Sequence, residues 1–183
     1  METKRIKIND TKNINDEELK EAAQILRDGG LVAFPTETVY GLGGNGLNKE
    51  ASKKIYAAKG RPSDNPLILH IADMEQFYPL IKTDNAKIIE RAEALADVFW
   101  PGPLTMILPK ADNIPYETTG GLDTVAIRMP SHLVARALLQ ECKMPIAAPS
   151  ANLSGRPSPT SASHVIEDMN GRIEMIIDGG DVG

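Results

Sequence analysis

Apolar positions along the chain follow two spacings, one typical of helices and one typical of short buried strands. Over residues 16–28 they recur every three or four positions, the spacing of an amphipathic helix. Asn15 can cap this helix, Glu18 completes a capping-box pattern, and Gly29 can end it. The apolar stripe consists of Leu19, Ala22, Ala23 and Leu26. We therefore predict a first helix over 16–28.

The rest of the chain continues the alternation of helical and strand-like segments. Asp84 and Ser131 are the expected caps of two further helices, and Gly60 the expected end of another. This alternation predicts a single α/β domain over residues 1–183, built on a twisted, open, mixed or parallel sheet flanked by helices. The further helices are predicted over 49–59, 84–99, 131–141 and 161–169, and the strands over 31–34, 67–71, 104–108, 124–128, 146–148 and 173–177.

Composition and charge narrow the class of protein. The 183 residues carry a net charge of −5, which argues against a protein that coats nucleic acid through bulk charge. No run approaches the roughly 18 consecutive apolar residues of a membrane span, and the N-terminal segment does not read as a signal peptide. The single cysteine, Cys142, excludes an internal disulfide and a cysteine-built metal cage. We expect a cytoplasmic protein that makes no membrane contact.

A glycine-rich segment over 41–46 matches the G-x-G-x-x-G pattern of dinucleotide-binding folds. The predicted strand before it ends too early, and Pro35 interrupts the tight turn that this pattern requires. We therefore expect a glycine-rich turn that allows close backbone packing. The chain contains no P-loop motif, so a bound triphosphate would be held in another way. The three histidines, at 70, 132 and 164, are scattered, and no protein-built metal site is expected.

Hydroxyl, amide and charged side chains follow the predicted strands closely. Ligands of open α/β sheets bind at the carboxyl ends of strands, so we expect these side chains to meet in one pocket at one edge of the sheet. They are Thr36, Glu37, Thr38, Arg128, Ser150, Asn152, Ser154, Arg156 and Ser158.

Two short motifs suit anion binding. Lys59 and Arg61 offer a compact charge and a planar fork for phosphate, although a cation at the end of a helix also offsets its dipole. The surrounding segment, 49–61, holds five basic residues against one acid, which suits a small anionic ligand or a modest RNA contact. Ser150 and Asn152 suit phosphate, ribose or base edges, and both residue types also favour turns.

Two polar residues end apolar strands. Arg128 is costly to bury unpaired and needs an anionic partner, either a structural acid such as Asp123 or a substrate carboxylate. His70, taken alone, fits a structural histidine better than a catalytic one.

Five long segments of the chain resemble the L-threonylcarbamoyladenylate synthase family, the YrdC-like domain. The resemblance runs in order from about residue 14 to 182, and it includes KxR and SxN signatures at Lys59/Arg61 and Ser150/Asn152. The segments are LVAFPTETVYGLGG, KGRPSDNPLILHI, FWPGPLTMIL, TVAIRMPSH and PIAAPSANLSGRPSPT.

The resemblance implies an enzyme that joins L-threonine, bicarbonate and ATP into threonylcarbamoyl-AMP and releases pyrophosphate. Magnesium would arrive with ATP. Downstream transferase proteins would then modify the adenosine next to the anticodon of tRNA, and a tRNA contact is possible for the domain itself. By position, the threonine site would comprise Thr38, His70, Arg128 and Ala148. The ATP site would comprise Lys59, Arg61, Asn65, Thr124, Ser150, Asn152 and Ser158, with Lys59 and Arg61 as the catalytic cations.

The family continues beyond an Asp-Gly-Gly run with further segments that complete the site, whereas this chain ends at Gly183. The resemblance therefore implies a C-terminally incomplete site, as in the first domain of a longer two-domain synthase. Two alternatives stay open. One is an RNA-binding module without turnover, which the net charge and the 4% aromatic content disfavour. The other is a carbamoyl-adenylate-forming domain of the hydrogenase-maturation type.

Overall fold

The computed structural model describes residues 1–60 and 65–183. This part of the chain forms eight strands and seven α-helices, with a 3-10 turn over Tyr78–Leu80. The strands are β1 (Lys4–Lys7), β2 (Val32–Pro35), β3 (Tyr40–Asn45), β4 (Ile68–His70), β5 (Thr105–Pro109), β6 (Thr124–Arg128), β7 (Ile146–Ala147) and β8 (Met175–Asp178). The helices are α1 (Asp16–Arg27), α2 (Lys49–Lys59), α3 (Met74–Phe77), α4 (Ala86–Phe99), α5 (Tyr116–Thr119), α6 (Leu133–Cys142) and α7 (Ala162–Met169).

All eight strands belong to one sheet, in the order β1-β8-β2-β3-β7-β4-β6-β5. The pairs β1/β8, β2/β8 and β4/β6 are parallel, and the other four pairs are antiparallel. Two apolar clusters cover the sheet. One includes residues of α1 and α6, and the other includes residues of α2, α4 and α7. The prediction of a mixed, open α/β sheet flanked by helices is confirmed.

Local sequence signals predict several helix ends correctly, but two of the predicted N-caps are wrong. Asn15 caps α1 through a bond from the Glu17 amide, and α2 ends at Gly60 in the left-handed conformation, φ 65°. Helix α4, however, is capped by Asn85 and not by Asp84. Helix α6 is capped by the ring nitrogen of His132 and not by Ser131. Ser131 is not available as a cap because its hydroxyl donates to a carboxylate of another segment.

The glycine-rich segment forms strand β3, so the prediction of a turn there is wrong. It pairs antiparallel with β2, which also excludes the strand-to-helix turn of a dinucleotide fold. A Cβ on Gly43 would lie 2.8 Å from Phe34 Cε1 and 2.9 Å from the Val32 carbonyl oxygen. Glycine is required here because no larger side chain fits against β2. The expected close backbone packing is present, but within a strand.

Candidate functional site

The turn that joins β2 to β3 is held rigid by one threonine hydroxyl. Thr36 Oγ1 donates to the Val39 carbonyl oxygen over 2.7 Å and accepts from the amides of Thr38 and Val39, both at 3.3 Å. Thr36 is buried. The turn can therefore present the side chains of Glu37 and Thr38 in a defined position, which is what a binding site requires.

Arg128 extends from the end of β6 to this turn. Its Nη1 donates to Thr38 Oγ1 over 3.3 Å, its Nη2 donates to Glu37 Oε1, and its Nε donates to the Gly102 carbonyl oxygen over 3.2 Å. The acid expected nearby, Asp123, is not the partner, because it precedes β6 at the end of the strand opposite Arg128; its carboxylate accepts from the Tyr116 hydroxyl at 2.8 Å. Glu37 neutralises Arg128 instead, across 91 positions of sequence.

Glu37 is itself held on its other side. Its Oε2 accepts from the amide of Ser131 at 2.9 Å and from the hydroxyl of Ser131 at 2.6 Å. Burial acts to raise the pKa of Glu37, but the hydrogen bonds from Ser131 and the charge of Arg128 outweigh it, and the pKa lies below its ordinary value. Burial lowers the pKa of Arg128, and Glu37 opposes that shift. The pair is ionised at neutral pH.

His70 lies beside this pair and is neutral. The residue is 2% exposed, its Nδ1 lies 3.0 Å from the Ile68 carbonyl oxygen, and Phe34 contacts it edge-on. Burial, helped by the nearby charge of Arg128, lowers its pKa to about 4. The ring faces the backbone carbonyl oxygens of both Ile68 and Ile146, and because a carbonyl oxygen only accepts hydrogen bonds, the single proton of the neutral ring is directed to one of them.

The neutral state of His70 gives a pH dependence with a defined sign. The pKa is about 4 in the folded chain against 6.5 for a free histidine, so the unfolded chain takes up the proton first as the pH falls. The contribution of His70 to stability is therefore fully present above pH 6.5 and decreases towards pH 4. We expect His70 to account for about 2 kcal/mol of the loss in unfolding free energy between pH 7 and pH 4.5. Urea denaturation of the wild type and His70→Gln at both pH values measures it, and equal losses in both proteins would contradict the assignment.

A second polar cluster surrounds Lys59 at the end of α2. Lys59 is 2% exposed, and its ammonium donates to the backbone oxygens of Ser150 at 2.6 Å and of Asn152 at 2.9 Å. The side-chain oxygen of Asn152 is a further acceptor at 3.2 Å. Lys59 thus holds the loop that follows β7 in place through hydrogen bonds. This role is additional to the effect of its charge on the dipole of α2.

This loop is braced from behind as well. The side-chain nitrogen Nδ2 of Asn152 donates to the carbonyl oxygens of Leu153 and Arg156. The Asp168 carboxylate accepts from the backbone N–H of Leu153 at 2.9 Å. Arg156 forms an ion pair with the same carboxylate at 3.1 Å. Asp168 is almost fully buried, at 5% exposed. A loop held at this many points offers backbone and hydroxyl groups in fixed positions.

The two clusters lie on either side of the first residues of β3. Gly41 bridges to Ser150, the Ala151 amide donates to the Tyr40 carbonyl oxygen, and a Cβ on Gly41 would lie 3.1 Å from that of Ala148. Thr38 and the 150–152 loop are therefore neighbours. Contacts through Tyr40 and Gly41 thus link the cluster of Arg128 and Thr38 to the cluster of Lys59, Ser150 and Asn152, with Ala148 beside Gly41 and His70 beside Phe34.

Among the described residues, Asn65, Thr124 and Ser158 form no side-chain contact with these clusters. Thr124 begins β6, at the opposite end of that strand from Arg128. Asn65 and Ser158 are exposed, and the carbonyl oxygen of Asn65 accepts from the Tyr56 hydroxyl. Arg61 lies outside the described residues.

The sequence analysis predicts that these side chains meet because the carboxyl ends of the strands share one edge of the sheet, and this reason is wrong. Strand β7 runs antiparallel to β4, and β4 is parallel to β6. In a flat sheet the carboxyl ends of β4 and β6 would lie opposite that of β7. The long side chain of Arg128 and the β2–β3 turn bring the groups together, and a shared edge of parallel strands does not.

Cavities, metal-ligand clusters and membrane-spanning helices are further features that bear on function. A cavity of about 600 Å³ opens elsewhere, beside residues such as Gln76, Gln140 and Lys143, and shares no lining residue with the two clusters. Within ranges 1–60 and 65–183, no group of three or more His, Cys, Asp or Glu side chains could hold a metal ion. No helix in these ranges is long and apolar enough to cross a membrane.

Fold and site together define an α/β domain with a buried arginine beside a threonine-rich turn and a lysine-braced loop. Comparison with known proteins gives the family. The Sua5_yciO_yrdC family, whose description is "Telomere recombination", matches residues 24–183, and the chain belongs to it.

Named relatives and a solved structure agree with this family. Threonylcarbamoyl-AMP synthase of Pyrococcus abyssi is 58% identical over 95% of this chain and 50% of its own length. Threonylcarbamoyl-AMP synthase of Bacillus subtilis is 55% identical over 100% of this chain and 53% of its own length. The crystal structure of P. abyssi Sua5 complexed with L-threonine superposes with a TM-score of 0.90 at 54% identity, over 100% of this chain and 51% of that chain. The chain thus spans about half the length of these relatives.

Proposed function

We propose that this domain forms threonylcarbamoyl-AMP from L-threonine, bicarbonate and ATP. The observation that carries the proposal is the Arg128 guanidinium, which is buried, neutralised by Glu37 and in contact with the hydroxyl of Thr38. The names of the relatives that are more than half identical to the chain support it. So does the L-threonine complex of P. abyssi Sua5.

The threonine site is assigned to Thr38, His70, Arg128 and Ala148. Arg128 has N–H groups beyond the three used within the described residues, and a guanidinium fork matches a carboxylate in two parallel hydrogen bonds. Thr38 supplies a hydroxyl beside that fork. His70, which is neutral, lies beside Arg128 and shapes the site without adding charge.

The nucleotide site is assigned to the lysine-braced loop and its surroundings. Ser150 presents its hydroxyl there, Asn152 holds the loop in position, and Lys59 adds a positive charge directly behind them. Arg61, Asn65, Thr124 and Ser158 complete the assignment by their resemblance to the family. Mg²⁺ enters as part of the ATP complex, since its preferred partners are phosphate oxygens with few protein ligands.

The chemistry needs positioning more than acid or base groups. The threonine amine and bicarbonate form a carbamate with loss of water, and the carbamate oxygen attacks the α-phosphorus of ATP, which expels pyrophosphate. Negative charge develops on the phosphoryl oxygens and the leaving group. Lys59 and Arg61 are the cations assigned to stabilise it. Juxtaposing two bound substrates also removes much of the entropic barrier.

The experiment is pyrophosphate release by the full-length protein. We expect release from ATP only when L-threonine and bicarbonate are both present, with mass-spectrometric detection of threonylcarbamoyl-AMP. Release that depends on carbamoyl phosphate would indicate the hydrogenase-maturation type of chemistry. Binding of RNA without any turnover would indicate the RNA-binding module. Either result would overturn the proposal.

The partners follow from the nature of the product. Threonylcarbamoyl-AMP is a mixed anhydride of a carbamate and a phosphate, which reacts readily with water. A transferase that accepts the threonylcarbamoyl group for tRNA modification, in the same cytoplasmic compartment, is therefore part of the proposal. The basic residues of α2 are the place to look for a tRNA contact. The exposed ones are Lys49, Lys53 and Lys54.

A further inference from the structure

Glu37 occupies a position that the assigned chemistry does not use. It lies in the β2–β3 turn, its side chain is 22% exposed, and one of its carboxylate oxygens faces Arg128 while the other faces Ser131. It therefore links three separate parts of the chain: the turn, the end of β6 and the segment before α6. All three meet next to the hydroxyl of Thr38.

Without Glu37, the Arg128 guanidinium would have only neutral partners among the described residues. These are the Gly102 carbonyl oxygen and the Thr38 hydroxyl, both at more than 3.1 Å. A long side chain with weak neutral contacts samples several rotamers, and fixing it costs conformational entropy each time a ligand binds. The carboxylate of Glu37 fixes the plane of the guanidinium in advance, because the Ser131 bonds hold the carboxylate itself in place.

We propose that Glu37 is a positioning residue for the carboxylate end of the amino-acid substrate, an inference that rests on the proposed function. Glu37 aims the unused N–H groups of Arg128 into the site and keeps the empty site electrically balanced. The balance matters for selectivity, since an unpaired buried guanidinium would capture any small anion. A substrate carboxylate instead binds tightly because the Arg128 guanidinium is already oriented to donate two parallel hydrogen bonds to it.

The test is Glu37→Gln in the full-length protein. A carboxylate accepts from Arg128 and Ser131 at once, whereas an amide has one accepting oxygen and one donating nitrogen. In one orientation the amide loses its hydrogen bond with Arg128, and in the other it loses the bond from the Ser131 backbone N–H, although its size is unchanged. We expect the KM for L-threonine to rise by at least about tenfold and the KM for ATP to change by less than about twofold. Glu37→Asp, which keeps the charge but shortens the side chain, should recover part of the affinity.

Glu21→Gln is the matched control. Glu21 also forms an ion pair, with Lys4 at 2.7 Å, but both side chains are about half exposed on the surface. Such pairs contribute little, so this variant should match the wild type in both KM values. Isothermal titration of the wild type and both glutamine variants with L-threonine gives the affinity directly.

The outcomes separate the inference from the function on which it rests. If the wild type neither binds L-threonine nor turns it over, the proposed function fails. If the wild type binds L-threonine and Glu37→Gln binds it equally well, only the positioning role of Glu37 is overturned. A variant that raises the KM values for ATP and threonine equally and lowers the melting temperature would also overturn it, because a merely structural role gives that pattern.

Discussion

Arg128→Met is expected to lower kcat/KM for L-threonine by at least about 100-fold, close to 3 kcal/mol of binding energy. The change removes the cation assigned to the substrate carboxylate and leaves the carboxylate of Glu37 without a counter-ion in a half-buried position. Both effects act against the binding of a second carboxylate. Steady-state kinetics of pyrophosphate release with L-threonine varied, at saturating ATP and bicarbonate, measure the loss.

Arg128→Lys distinguishes charge from geometry in the same assay. Lysine keeps the positive charge but cannot contact Thr38, Glu37 and a substrate with a planar fork. We expect it to lose more than about tenfold in kcat/KM and to remain folded. A folded Arg128→Met protein that binds L-threonine within about threefold of the wild type would refute the assignment of Arg128.

Lys59→Met is the second change with a large expected effect, and here the effect is on stability as well as turnover. The ammonium donates to the backbone oxygens of Ser150 and Asn152 in a position that is 2% exposed. Methionine fills the space but leaves those buried oxygens without this donor, at a cost of about 3 kcal/mol in the free energy of unfolding. The 150–152 loop then loses its fixed position, and ATP-dependent turnover is lost with it.

Lys53→Met on the same helix serves as the control. Lys53 is about half exposed and pairs with Glu50 at 3.4 Å, so its replacement should change stability by less than about 0.5 kcal/mol. Urea denaturation of the two variants gives the comparison. Equal unfolding free energies for Lys59→Met and Lys53→Met would show that Lys59 does not brace the loop.

The sequence predicts those elements whose signals are local. The stripe in 16–28 and its cap at Asn15 gave α1 almost to the residue, because the helix buries one face and its first amides need an acceptor. Strand β3 was missed because glycines leave no side-chain alternation to read. Strand β1 was missed because it is only four residues long, at the edge of the sheet, and Ile6 is its one buried position.

The sequence predicts which residues belong to the site better than it predicts the contacts among them. The resemblance marked Thr38 and Arg128, but the charge that balances Arg128 was sought in Asp123, a near neighbour in sequence. Glu37 was noted only as one of several polar residues in a loop. Its role depends on a contact across 91 positions, which follows from the folding of the β2–β3 turn onto the end of β6 and from no pattern along the chain.

The glycine strand limits how this protein could be adapted to higher temperature. Replacing glycine by alanine is a common engineering strategy, because it reduces the freedom of the unfolded chain. In β3 that route is closed, since added methyl groups at Gly43 and Gly44 would lie within 3.0 Å of side-chain or backbone atoms. Stabilising substitutions must therefore be sought outside the middle of the sheet, which keeps its glycines.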